Sequence, residues 1–135
     1  MITPKKRYSG KIVSLPVTAT TTLTKNNHVK MASGYLVAGA AGDNEVEYIA
    51  LQTVTGGAAD GDVKCDVLVI DSTMEFDVLC GTTPVQATHV GNDYDMAGAA
   101  SIDLTATTDK VFRIDSIINA TDKIVRGRFN KPALA

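Results

Sequence analysis

The sequence predicts an all-β protein: a small antiparallel β-barrel or sandwich with at most one or two short helices. Three observations carry that expectation. Thr, Val and Ile supply 39 of the 135 residues, and branched side chains suit a pleated surface while losing freedom in helices. Segments of period-two alternation recur, separated by turn residues at intervals of roughly ten residues. No stretch reads as a strong helix. Hydrophobic residues make up 44% and charged residues 21%, ordinary values for a globular chain of one domain. No apolar run approaches the roughly 18 residues of a spanning helix, and residues 1–10 lack the apolar stretch of a signal peptide. The sequence therefore predicts neither membrane insertion nor export.

The elements follow in order. Residues 1–10 hold Pro4, Lys5-Lys6-Arg7 and Gly10 without periodicity. They are expected to form an extended N-terminal arm with no core position, leaving residues 11–135 as a single β-rich domain. A first strand over 11–15 is stopped by Pro16, which has no amide proton to give a sheet. The Thr-rich stretch 17–25 reads as edge or loop. Asn26-Asn27 signals a turn, with a short strand over 28–32 after it. Segments 34–38 and 46–53 flank a loop over 39–44 and read as a hairpin with a long connection.

The clearest alternation lies in 64–70 and 74–80, joined by the turn residues Asp71-Ser72-Thr73. It predicts two paired antiparallel strands that bury Val67, Val69, Phe76 and Val78 and expose Asp66, Glu75 and Asp77. Further strands are expected over 85–90, 94–96, 101–104, 110–118 and 123–129.

Charge is segregated along the chain. Residues 1–42 carry six bases and no acid, and residues 43–122 carry all fifteen acids against three bases. The tail then adds four bases. A positive arm is attracted to acidic surfaces, while the plainer expectation pairs the basic ends with the acidic middle of the same or a neighbouring subunit. Direct nucleic-acid binding is not expected, because only Tyr8 accompanies the short basic cluster as a stacking residue.

The chemistry-bearing residues form no recognisable constellation. Cys65 and Cys80 are fifteen residues apart, and His28 and His89 are isolated, whereas tight metal sites bring ligands in close pairs. The cysteines read as small core residues on adjacent strands, with a disulfide between them left open. No Gly-x-Ser-x-Gly elbow is present, and Gly39-Ala40-Ala41-Gly42 and Gly56-Gly57 lack the flanking pattern of a phosphate loop. Asp60, Asp62 and Asp66, or Asn92, Asp93 and Asp95, do not fit a twelve-residue calcium loop. Asn119-Ala120-Thr121 matches a glycosylation acceptor, a pattern short enough to recur by chance. The sequence thus predicts no catalytic residue, cofactor or metal, and a protein that is not an enzyme.

The segments Met74-Glu-Phe-Asp-Val-Leu-Cys-Gly-Thr-Thr-Pro-Val85, Val90-Gly-Asn-Asp-Tyr-Asp-Met96, Val111-Phe-Arg-Ile114 and Val125-Arg-Gly-Arg-Phe129 resemble the decoration (cement) proteins of tailed-bacteriophage capsids. The likeness spans about residues 46–129 and is one of strands and turns. It implies a β-tulip-like barrel made in the bacterial cytoplasm and placed on the capsid exterior of the virion. There it would form a homotrimer and bind the major capsid protein of the expanded shell. The arm would insert into the lattice, with Ile2, Tyr8 and Ile12 as apolar anchors beside Pro4. Lys5, Lys6 and Arg7 would meet capsid acids. The basic residues Arg126, Arg128 and Lys131 stand next in line as contacts. Two other classes remain open on the sequence: another virion subunit, of tail tube or head–tail connector, and a small ligand- or oligonucleotide-binding barrel.

Overall fold

The computed structural model describes residues 2–4 and 11–130. In chain order its strands are β1 (Ile2–Pro4), β2 (Ile12–Pro16), β3 (Thr22–Leu23), β4 (His28–Ala32), β5 (Tyr35–Ala38), β6 (Tyr48–Ala50) and β7 (Val54–Thr55). Next come β8 (Lys64–Val69), β9 (Phe76–Cys80), the four-residue helix α1 (Gln86–His89), β10 (Asp93–Met96), β11 (Ser101–Asp103), β12 (Phe112–Asn119) and β13 (Ile124–Phe129). The protein is all-β, as composition and alternation predict.

The first sheet closes on itself. Its order is β1-β9-β11-β10-β12-β13, and β9 also pairs with β13, so β9, β11, β10, β12 and β13 form a ring. The other edge of β9 is divided. β1 runs antiparallel along Phe76, Asp77 and Val78, while β11 runs parallel along Leu79 and Cys80. Alternation along β9 places Phe76, Val78 and Cys80 in the core. Phe129 meets Phe76 and Phe112 edge-on, with ring centroids 5.2 and 4.9 Å apart. Each buried ring of this kind contributes roughly 1.5–3 kcal/mol by leaving water, and the T-shaped contacts add to that. Gly127 is required where β12 crosses β13: a Cβ there would lie 1.8 Å from Arg113 O.

The second sheet has the order β2-β8-β6-β4-β5 and buries both faces. Ile49, Leu68 and Ile70 belong to the cluster that contains the ring's core. Val29, Leu36, Ala50, Cys65 and Val67 form a separate cluster with Val17 and Leu23, and Leu23 is held there by the small β3–β7 pair. A tight turn at Ser33 (φ 51°) and Gly34 (φ 90°) joins β4 to β5, the left-handed pair that suits a two-residue hairpin.

Several expectations are corrected. β8 and β9 are strands but not partners: β8 pairs with β2 and β6, and β9 lies in the other sheet. Val69 is consequently half-buried, and Leu68 and Ile70 are buried instead. Asp66 and Glu75 are half-buried. Asp77 is only 8% exposed, because Arg126, directly opposite in register, covers it and pairs with it at 3.0 Å. The 34–38 and 46–53 segments do not form a hairpin, since β4 lies between β5 and β6. Residues 86–89 are helical. Finally, Ile2 is fully buried, opposite Val78, so the first ten residues do contain a core position.

Candidate functional site

The residues proposed for partner binding fall into three groups. Ile2 is committed to the core, and Pro4 pairs with Phe76 in the register of β1. Lys5, Lys6, Arg7 and Tyr8 lie outside the described residues, as does Lys131. Ile12 is 61% exposed, the most exposed of the large apolar residues on the described surface.

Ile12 stands on an open strand edge. Val69 N–H donates to Lys11 O and Val17 N–H to Val63 O, each at 2.9 Å. With the register Val13↔Val67 and Leu15↔Cys65 between them, the odd-numbered residues of β2 direct their backbone groups to β8. The N–H and C=O groups of Ile12 and Ser14 therefore point away from β8. No strand covers them among the described residues. Pro16 brings no amide to that edge. Beyond it, Val17 bridges to Leu36 and Thr18 N–H reaches Leu36 O at 3.1 Å, closing the sheet at that end.

A second site was not legible in the sequence. His28, at the start of β4, is 1% exposed and borders a cleft of about 190 Å³ shared with Lys30, Met31, Asp43, Asn44, Glu45 and Glu47. Neither ring nitrogen has a hydrogen-bond partner among the described residues. Asp43 Oδ2 lies 3.7 Å from Nδ1, outside bonding range. Burial pushes the imidazole pKa down to about 4, with the Lys30 charge acting the same way and Asp43 opposing both. Burial disfavours the ionised Asp43 carboxylate. Hydrogen bonds from Lys30 Nζ at 2.6 Å and the Ala40 amide at 2.8 Å outweigh that and hold its pKa below the ordinary value. The site holds a neutral imidazole beside an ion pair. Its residues come from β4 and the β5–β6 loop, a combination no local motif announces.

Several other polar residues are engaged in structural contacts. Arg126 pairs with Asp77, and Arg128 with Asp115 at 3.2 Å, so part of the basic tail meets the acidic middle within one chain. Asp95, 6% exposed, accepts the amides of Thr108, Asp109 and Lys110 at 2.8–3.1 Å. Asp60 accepts Ala19 N–H and Asp62 accepts Ala59 N–H. Cys65 and Cys80 are free thiols in different core clusters, and burial raises both pKa values, that of Cys80 to about 11. Among the described residues, no three His, Cys, Asp or Glu side chains are grouped to hold a metal ion, and no helix is long and apolar enough to cross a membrane. No protein-family model, curated protein or solved structure matches this chain.

Proposed function

We propose that this chain is a structural virion protein that binds the outer surface of the expanded phage capsid and stabilises it against the pressure of packaged DNA. It works by binding, without catalysis. The open edge of β2, with Ile12 exposed beside Lys11, is the observation that carries the reading. An extended segment of the major capsid protein can add to such an edge, with backbone hydrogen bonds giving affinity and apolar contacts at alternate positions giving specificity. The sequence resemblance in residues 46–129 supports the same role.

The burial of Ile2 changes how the basic segment would contribute. Ile2 is buried in the core, so Ile12 would supply the apolar contact, and Lys5, Lys6 and Arg7 would meet capsid acids. Ordering a capsid segment against this edge costs about 1–2 kcal/mol per residue. One subunit would bind weakly, and a homotrimer would gain by avidity. A protein that binds only the expanded lattice stabilises it by mass action alone.

Co-sedimentation with expanded and unexpanded shells tests the reading. The chain is expected to pellet with expanded shells only, and Ile12→Asp is expected to weaken that binding at least tenfold. Equal recovery with both shells, or with neither, would reject it.

A further inference from the structure

The imidazole of His28 forms part of the wall of the cleft between β4 and the β5–β6 loop, yet it is 1% exposed and neither nitrogen is hydrogen-bonded among the described residues. A neutral ring carries one donor and one acceptor nitrogen, and buried polar atoms are nearly always paired. Asp43 Oδ2, 3.7 Å from Nδ1, is too far away to bond. The ring is therefore finished only by a group that the described chain does not supply.

The other walls set the charge of that group. Lys30 and Asp43 neutralise each other at 2.6 Å, and the Ala40 amide holds Asp43 as well. Glu45 is already engaged. Glu47 lines the same cleft, half-buried, and makes no side-chain hydrogen bond or ion pair among the described residues. A carboxylate partly withdrawn from water and left unpaired attracts a cation. The ring tolerates that charge, since burial lowers its pKa to about 4 and keeps it neutral at pH 7. An anion would gain no charge from the ring and would be repelled by Glu47. A metal ion is a poor fit, because no three His, Cys, Asp or Glu side chains are grouped to hold one among the described residues. Met31 stands in the same cleft, 38% exposed, and offers methylene groups a soft apolar surface.

We propose that the His28 cleft is a binding site for a primary alkylammonium group, with its N–H donors on the His28 imidazole and the Glu47 carboxylate and its methylenes on Met31. A compact ammonium has three donors and no acceptor, so one group meets both needs at once. Its bonds to a carboxylate are charge-assisted and strong. The cleft, about 190 Å³ in volume, admits a short alkyl chain. A free amine and the lysine side chain of a partner protein share this chemistry. β6 and β8 separate β4 from the β2 edge in the sheet, and the inference does not rest on the capsid reading.

The test follows the His28 imidazole resonances of the full chain by NMR at pH 7. They are the ones that survive in His89→Gln; if that variant does not fold, they are the ones that do not titrate between pH 8 and 6. n-Butylammonium is expected to shift them saturably, with half-saturation at about 1 mM or below. Tetramethylammonium at equal ionic strength, which has the charge without an N–H, is expected to leave them in place. Glu47→Gln should raise the half-saturation concentration at least tenfold. N-acetyl-lysine N-methylamide separates the two sources: tighter binding than butylammonium assigns the site to a partner's lysine, and weaker binding to a free amine. The proposal is overturned if neither amine gives a saturable shift up to about 50 mM, a concentration that would reveal even very weak binding. It is also overturned if tetramethylammonium acts equally, or if Glu47→Gln binds as the parent does. Should Glu47→Gln not fold, the comparison of amine with tetramethylammonium on the parent chain decides alone.

Discussion

Gly39 lies so close to His28 that a Cβ built on it would sit 2.2 Å from Nδ1 of the imidazole. The two residues also share a backbone bond, Gly39 N–H donating to His28 O at 2.8 Å. The absence of a side chain at one position is what admits the ring at the other.

Gly39→Ala should therefore displace a buried ring and cost about 1–3 kcal/mol, the usual penalty of overpacking. Adding His28→Ala should recover part of that loss, because neighbouring sites couple. Urea denaturation of both single variants and the double variant measures the coupling; additive effects would show that the contact is not tight.

The His28 pKa sets a pH window. Its folded value, about 4, lies below the ordinary 6.5, so the unfolded chain binds more protons between those values. Stability from this group is complete above pH 6.5 and is lost as pH falls toward 4, to a total of about 3 kcal/mol. Asp43, with its pKa held below its ordinary 3.8, contributes its own loss only at still lower pH. Denaturation midpoints at pH 7, 5.5 and 4.5 should fall steadily in the parent protein and less in His28→Gln.

Asp95→Ala removes the acceptor of three amides at once. Lys110 is held there with φ at 53°, a left-handed conformation that needs such support. The expected loss is about 2–4 kcal/mol, since hydrogen bonds to a charged group are strong and unpaired buried donors are costly. Hydrogen exchange should rise at Thr108, Asp109 and Lys110 before it rises in the ring strands.

Ile2→Ala should cost about 2–5 kcal/mol, as buried isoleucine truncations do. Thermal unfolding reads this directly. An unchanged melting temperature would mean that β1 contributes nothing to the core.

The strands were legible where side-chain alternation and turn residues coincide. Residues 28–32 and the inward set Phe76 and Val78 come out as predicted, because period two fixes which face a residue occupies. Alternation does not identify the partner. Hence β8 and β9, consecutive and similar in pattern, were expected to pair, yet the chain passes between sheets at Asp71-Ser72-Thr73. Both faces of β8 are buried, so its alternation of Cys65 and Val67 with Leu68 separates two cores, not core from solvent. Val85–Val90 looks extended from its valines, but His89 N–H closes onto Val85 O at 2.8 Å and Val85 N–H onto His89 Nδ1 at 2.7 Å. Ile2 was missed because a lone apolar residue before a basic run carries no periodicity. The His28 cleft was missed because Gly39 and Asp43 meet it only after β4 and β5 pair.

The division of β9 among β1, β11 and β13 has a consequence for how the molecule is born. Its partners lie some seventy residues upstream and from about twenty to fifty residues downstream. A nascent chain leaving the ribosome cannot close the ring until β13 has emerged, so Phe76 and Val78 wait while the intervening strands are synthesised. Pairings this distant are slow to form, and waiting apolar edges are prone to aggregate. Residues 2–4 are already made when β9 appears, and β1 is then available to cover one of its edges ahead of the later strands.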